Sequence, residues 1–247
     1  MNMISLLKKE IKLETNISMY IFTVCLIGFY YIPSYPVYIG CFYSTLAVML
    51  TFSLNQVSHG LMYTVLLPVR KIDTVKARFL YCGVIESLFV PFAIIAGIVR
   101  NKTNYPVNAS GIDINIAYFG FQFFILGIFN CIFFGNIYKN PLKPGKVFFV
   151  AAIAYFGLYL LAEVPVWYYK GRFHHLIDEG LEPNEAISAI QSADSGLLAK
   201  IGCYFAQTDM TSQIKQIPIL AVGFLVFALS WLVSFRRAAR QFENYDM

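Results

Sequence analysis

The stretch from Asn55 to Arg78 reads NQVSHGLMYTVLLPVRKIDTVKAR, a polar and basic connector between two long apolar segments. It is too long and too regularly patterned for a simple turn. Pro68 divides it. The part before the proline, Val57 to Leu67, has the character of a short helix at a membrane surface. After the break, Asp73 or its neighbours start a helix that runs directly into the next apolar segment. The connector is therefore a short, stiff element tied to two spans, and it is where the chain meets water.

The flanking segments set the fold class. Of the 247 residues, 58% are hydrophobic and 13% are charged, against about 25% charged in a soluble domain. Lipid is the solvent that accommodates such a chain, and the abundance of Phe and Tyr suits interfacial rings. A bilayer core of about 30 Å takes roughly 20 helical residues. Six spans are predicted: Ile17 to Ile32, Val37 to Leu54, Phe79 to Val99, Ile114 to Phe134, Val147 to Tyr169 and Ile217 to Phe235. Residues 1–16, with Ile4, Leu7 and Ile11 at helical spacing among Lys8, Lys9, Glu10 and Lys12, read as an amphipathic surface helix rather than a cleaved leader. The expected architecture is all-α: that surface helix, five spans with the connector over 17–169, a small helical extracellular cap over 170–216, and a sixth span with a basic tail over 217–247. In the cap, Pro183 opens a helix through Gln191, and Asp194 or Ser195 caps a second one through about Phe205.

Charge sets the expected orientation. With the N-terminus in the cytoplasm, Lys8, Lys9, Lys12, Arg70, Lys71, Lys76, Arg78, Lys139, Lys143, Lys146, Arg236, Arg237 and Arg240 all lie on the cytoplasmic side, 13 of the 19 Lys and Arg. That matches the positive-inside rule and puts both termini in the cytoplasm. The basic residues are scattered between apolar segments, so the net charge of +5 does not point to nucleic acid. Four of the five cysteines fall inside apolar segments, with no CxxC or Cys/His metal spacing, and read as small buried hydrophobes.

No catalytic set is evident. The chain has no P-loop, HExxH or GxSxG motif. His174, His175 and Asp178 share a helical face but lack a fourth ligand, and read as a solvated polar stretch. Two carboxylates lie within spans, where ionisable groups are costly and face a partner or a cavity. For Glu86 a point on a substrate path and a hydrogen bond to a neighbouring helix stand about equal. Glu163, close to Pro165, Trp167, Tyr168 and Tyr169, reads first as an interfacial structural group and second as part of a path. Gly127, Cys131 and Gly135 give one helix a smooth face, more often used within a chain than between chains. Pro91 implies a kink in the third span.

Leu67-Pro68, Arg70, Ile72 and Lys76-Ala77-Arg78-Phe79-Leu80 resemble the signature that follows the second span of ATP-binding-cassette type-2 permeases. At the level of architecture the resemblance covers the whole chain, and it is nearest to small permeases of bacterial peptide exporters, including the phenol-soluble-modulin exporter group. The segment before the last span is longer than is usual in that family. The resemblance implies a non-enzymatic bacterial cell-membrane subunit that works as a homodimer or with a paralogous copy. Each copy would dock to a separate ATPase, which carries the ATP and Mg, and this chain would hold no cofactor. The connector would be the coupling helix, with His59, Met62, Tyr63, Leu66, Pro68 and Arg70 as contacts. The aromatic, weakly charged interior suits hydrophobic or amphipathic cargo, peptide or lipid. An ATP-independent membrane binding or immunity protein against a peptide toxin is the alternative.

Overall fold

The computed structural model describes residues 3–13, 15, 17–32, 35–57, 69–103, 105–106, 108, 111–139, 141, 143–192 and 196–244. Every described element is a helix: α1 (Met3–Leu13), α2 (Ile17–Phe29), α3 (Val37–Val57), α4 (Lys71–Ser87), α5 (Phe89–Lys102), α6 (Ile116–Ile137), α7 (Pro144–Asp178), α8 (Pro183–Gln191), α9 (Leu197–Ala206), α10 (Met210–Lys215) and α11 (Ile217–Glu243).

Five helical stretches are long and apolar enough to cross a bilayer: α3, α4 with α5, α6, α7 and α11. Stripes of exposed apolar side chains run along them, such as Val222, Leu225, Leu229 and Leu232 on α11 and Ile94, Ile95 and Ile98 on α5. These are the features of a polytopic membrane protein. The first expected span is the exception. Helix α2 has 13 residues, about 20 Å at the usual rise, short of the ~30 Å core. It meets α1 at 87°.

Helices α6 and α11 form the closest pair, running parallel and in register. Lipid tails are as apolar as leucine, so no hydrophobic force draws two spans together; close packing and hydrogen bonds must do it. Glycine makes the approach possible. A Cβ on Gly120 would lie 2.7 Å from the Ile219 carbonyl, one on Gly127 3.0 Å from the Phe227 Cα, and one on Gly223 inside the Gly120 carbonyl. Three polar side chains peg the register from end to end. Gln216 Oε1 accepts from the Ala117 amide (3.0 Å), Ser234 donates to the Asn130 carbonyl (3.0 Å), and Gln241 donates to the Gly135 carbonyl (2.8 Å). The Gly127 face thus serves packing within the chain.

Around this pair the interior is filled with rings. Phe52, Phe79, Phe133, Phe134, Phe148 and Trp231 pack edge to face or tilted on one another. Several hydroxyls of the buried rings pair. Tyr118 meets Tyr30 at 2.9 Å and Cys41 Sγ at 3.1 Å, and Tyr155 donates to the Tyr38 carbonyl at 2.7 Å. Cys41 is thus a hydrogen-bond partner as well as a small hydrophobe. All five cysteines are free.

Two boundaries differ from the expected ones. The fifth span does not stop at Tyr169. Helix α7 runs unbroken to Asp178 and ends in a Schellman motif: Gly180 (φ +95°) lets its own amide reach the Ile177 carbonyl and that of Leu181 reach Leu176. This extension carries α8 and α9, which share a small core of Tyr169, Ile190, Ala199 and Cys203. The start of α9 is Gly196, with no side-chain cap; Asp194 and Ser195 lie outside the described residues. Helix α8 begins at Pro183 as expected. Asp209 caps α10, where the Thr211 hydroxyl and the Ser212 amide hold its carboxyl down to about 2.

Gly120→Val should lower unfolding stability in bicelles by about 2 kcal/mol or more, because backbone cannot yield as a side chain can. Gly157→Val, where nothing lies within 4 Å of a Cβ, should stay within about 0.5 kcal/mol of the parent. A steric-trapping measurement on both variants checks the difference.

Candidate functional site

At the end of the bundle where α1, the start of α4 and the end of α11 meet, a buried ion pair ties the connector side to the N-terminus. Glu10 is 1% exposed and Arg78 3%. Arg78 reaches Glu10 Oε2 through Nη2 at 2.6 Å and Nε at 2.8 Å, and its guanidinium sits over Phe52 at 5.1 Å from the ring centroid. Lys9 adds a contact to Oε1 at 3.5 Å. The Thr15 hydroxyl meets the Tyr81 hydroxyl at 2.6 Å. Helix α1 is amphipathic and carries a buried carboxylate on its protein side. Leu6 and Glu10 face α4, while Ile4 and Ile11 point away. Lipid accepts the isoleucines at no cost, whereas Glu10 needs a cation, so the carboxylate takes the protein side.

Within the connector, Arg70 is 81% exposed and pairs with its neighbour Asp73 (2.9 Å). Helix α4 starts at Lys71, among the neighbours of Asp73, which sits in the first turn where its charge favours the helix dipole. Lys71 Nζ donates to the Glu243 carbonyl at 3.3 Å, joining the start of α4 to the end of α11. His59, Met62, Tyr63, Leu66 and Pro68 lie outside the described residues.

Midway along the bundle, Glu86 is fully buried. Asn130 Nδ2 on α6 donates to its Oε2 at 2.7 Å. Glu86 stands just before a break between α4 and α5 at Leu88, one turn ahead of Pro91, whose missing N–H weakens the helix there. Trp231 of α11 covers Gly83 on the same helix, where an added Cβ would come within 2.9 Å of the indole.

At the opposite end, Glu163 is also fully buried, but against the 111–115 segment. Both of its oxygens face the Ile112 amide, at 3.0 and 3.3 Å. Gly111 (φ +156°) is required there twice over, by its backbone angle and because a Cβ would collide with that carboxylate. Lys170 donates to the Gly111 carbonyl at 2.6 Å and to that of Asn108, and Arg100 pairs with Asp113 at 2.8 Å. A cavity of about 660 Å³ lies beside this segment, with Gly97, Arg100, Tyr105, Asp113, Phe119 and Gln213 in its wall. The two buried carboxylates are thus not brought together. Each closes a separate seam, with Glu86 joining α4 to α6 and Glu163 joining α7 to the loop before α6.

The polar stretch near the end of α7 has no converging ligand set. His174 meets the Phe173 ring edge, and His175 Nδ1 lies 3.3 Å from Glu179. Among the described residues no three His, Cys, Asp or Glu are grouped to hold a metal ion. Glu10 with Arg78 is the constellation that sequence reading missed. Its only signal is a glutamate on an otherwise basic surface helix and an arginine inside the apolar end of the connector.

In comparisons with known proteins, no family model, no curated protein and no solved structure matches this chain.

Glu10→Ala strands a buried guanidinium and should cost about 3–5 kcal/mol. Asp73→Ala, which opens an exposed pair, should cost less than about 1 kcal/mol. Replacing Glu10 and Arg78 together by leucine should recover most of the loss. Thermal unfolding of the three variants and the parent in lipid nanodiscs measures all three expectations.

Proposed function

We propose that this chain is the membrane-spanning permease subunit of an ATP-driven exporter of the ATP-binding-cassette type-2 class. It sits in a bacterial cell membrane with both termini in the cytoplasm and crosses six times, the first time through α2. The ATP and Mg reside in a separate ATPase subunit, and the chain itself is not an enzyme. Hydrophobic or amphipathic molecules, peptides foremost, are the cargo.

The observation that carries this reading is the connector signature, from Leu67-Pro68 to Lys76-Ala77-Arg78-Phe79-Leu80, of which Lys76 to Leu80 lie in the first turns of α4. Its charged members divide into two kinds. Arg70 is free to reach a partner once its weak pair with Asp73 opens, and Arg78 is locked to α1. An element of this kind transmits a push: one end meets the ATPase, and the other is fixed to the spans through a buried ion pair. The aromatic interior supports a paired assembly. Rings fill the space between the described helices, so cargo needs a path formed between two copies, identical or paralogous.

The test is affinity purification of the tagged full chain from its native membrane. A stoichiometric P-loop ATPase should co-purify, and Tyr63→Ala with Leu66→Ala should reduce its recovery without changing membrane insertion. A chain that purifies alone and still protects cells from an amphipathic peptide toxin would identify the ATP-independent immunity protein instead.

A further inference from the structure

The seam between α4 and α6 holds two buried oxygens with nothing to accept from. Asn130 Nδ2 donates to Glu86 Oε2, but among the described residues Glu86 Oε1 and Asn130 Oδ1 have no hydrogen-bond partner. Both belong to one acid–amide pair, and both are acceptors. Leaving two such oxygens unmatched in a dry interior is costly, and an unpaired carboxylate there costs more still. No cation among the described residues pairs with Glu86. On its own helix Arg78 stands about two turns away and is engaged by Glu10. Its titratable neighbours are Cys82, one turn earlier, and Tyr155 from α7, both neutral partners.

One proton resolves both vacancies. A protonated glutamate has an O–H donor beside its remaining acceptor, and an amide has the complementary pair. We infer that Glu86 binds a proton and closes a cyclic acid–amide ring with Asn130: Nδ2–H to Oε2, and Oε1–H to Oδ1. The ligand of this site is thus a proton, and the site is neutral. It does not offer a negative charge to a cationic cargo. The backbone carbonyl of Asn130 is held by Ser234 of α11, so the ring fastens α4 to the best-packed pair of helices in the bundle.

The position gives the ring a mechanical consequence. It lies two residues before Leu88, where α4 gives way to α5. While the seam is shut, all four polar groups are matched within the ring. If α4 swings from α6 and water enters, the acid meets solvent and gives up its proton. Opening of the seam is therefore linked to proton release. This inference rests on the geometry of the pair and holds whether or not the chain works with an ATPase.

Infrared difference spectroscopy on the full chain in lipid nanodiscs at neutral pH tests it. The wild-type minus Glu86→Gln difference should contain the carbonyl stretch of a protonated carboxylic acid. That band should shift in Asn130→Leu, where the ring loses its partner. Glu86→Gln should keep the wild-type melting midpoint, since a glutamine amide pairs with Asn130 through the same two bonds, whereas Glu86→Leu should lower it. Carboxylate bands in place of the acid band overturn the inference, and would mean that a water molecule or an alkali cation fills the gap. A Glu86→Gln chain that melts as early as Glu86→Leu, or fails to fold, also counts against it.

Discussion

Helices α6 and α11 touch backbone to backbone, and the rest of the bundle is arranged around that contact. In lipid, spans are held by contact area and matched polar groups rather than by exclusion of water. Gly120, Gly127 and Gly223 supply the closeness, and Gln216, Ser234 and Gln241 fix the register. The pairing fixes Asn130 in depth and rotation and presents it to α4. It sets Trp231 against Gly83 and against the rings of Phe79 and Phe134. A side chain inserted anywhere along this line would displace every helix that leans on it.

Outside that pair, helices are joined by polar clasps at three depths. Glu10 and Arg78 join α1 to α4 at the basic end; Glu86 and Asn130 join α4 to α6 in the middle; Glu163 and Lys170 hold Gly111 and Ile112 to α7 at the opposite end. Each links residues far apart in the chain. Helix α4 takes part in two of them and then breaks at Leu88. It is thus a rod anchored at its root and latched to α6 near its far end.

Much of the architecture was legible in the sequence because bilayer thickness imposes a length on apolar helices. The long spans, the break near Pro91, the helix opened by Pro183 and the packing role of Gly127 all follow from local rules. The burial of Glu10 and Leu6 on α1 was not legible. Ile4, Leu7 and Ile11 mark an apolar face, but apolarity does not distinguish a lipid-facing side from a protein-facing one. The continuation of α7 past Tyr169 was hidden for a related reason: aromatic and charged residues mark a membrane interface without ending a helix. The partners of Glu86 and Glu163 depend on contacts 44 and 51 residues away. A single sequence does not encode such pairs in any spacing, and the Gly120–Gly223 crossing belongs to the same class.

The claim beneath all of this is that α4 to α7 carry the chain across a bilayer three times between Arg70 and Glu182, from the cytoplasmic to the extracytoplasmic side. Substituted-cysteine labelling tests it directly, in a chain whose Cys25 and Cys131 are replaced by serine. With a membrane-impermeant maleimide on intact cells, Glu182→Cys should react at once and Arg70→Cys only after permeabilisation. Labelling of both from the same side, or of Arg70→Cys alone in intact cells, would contradict it.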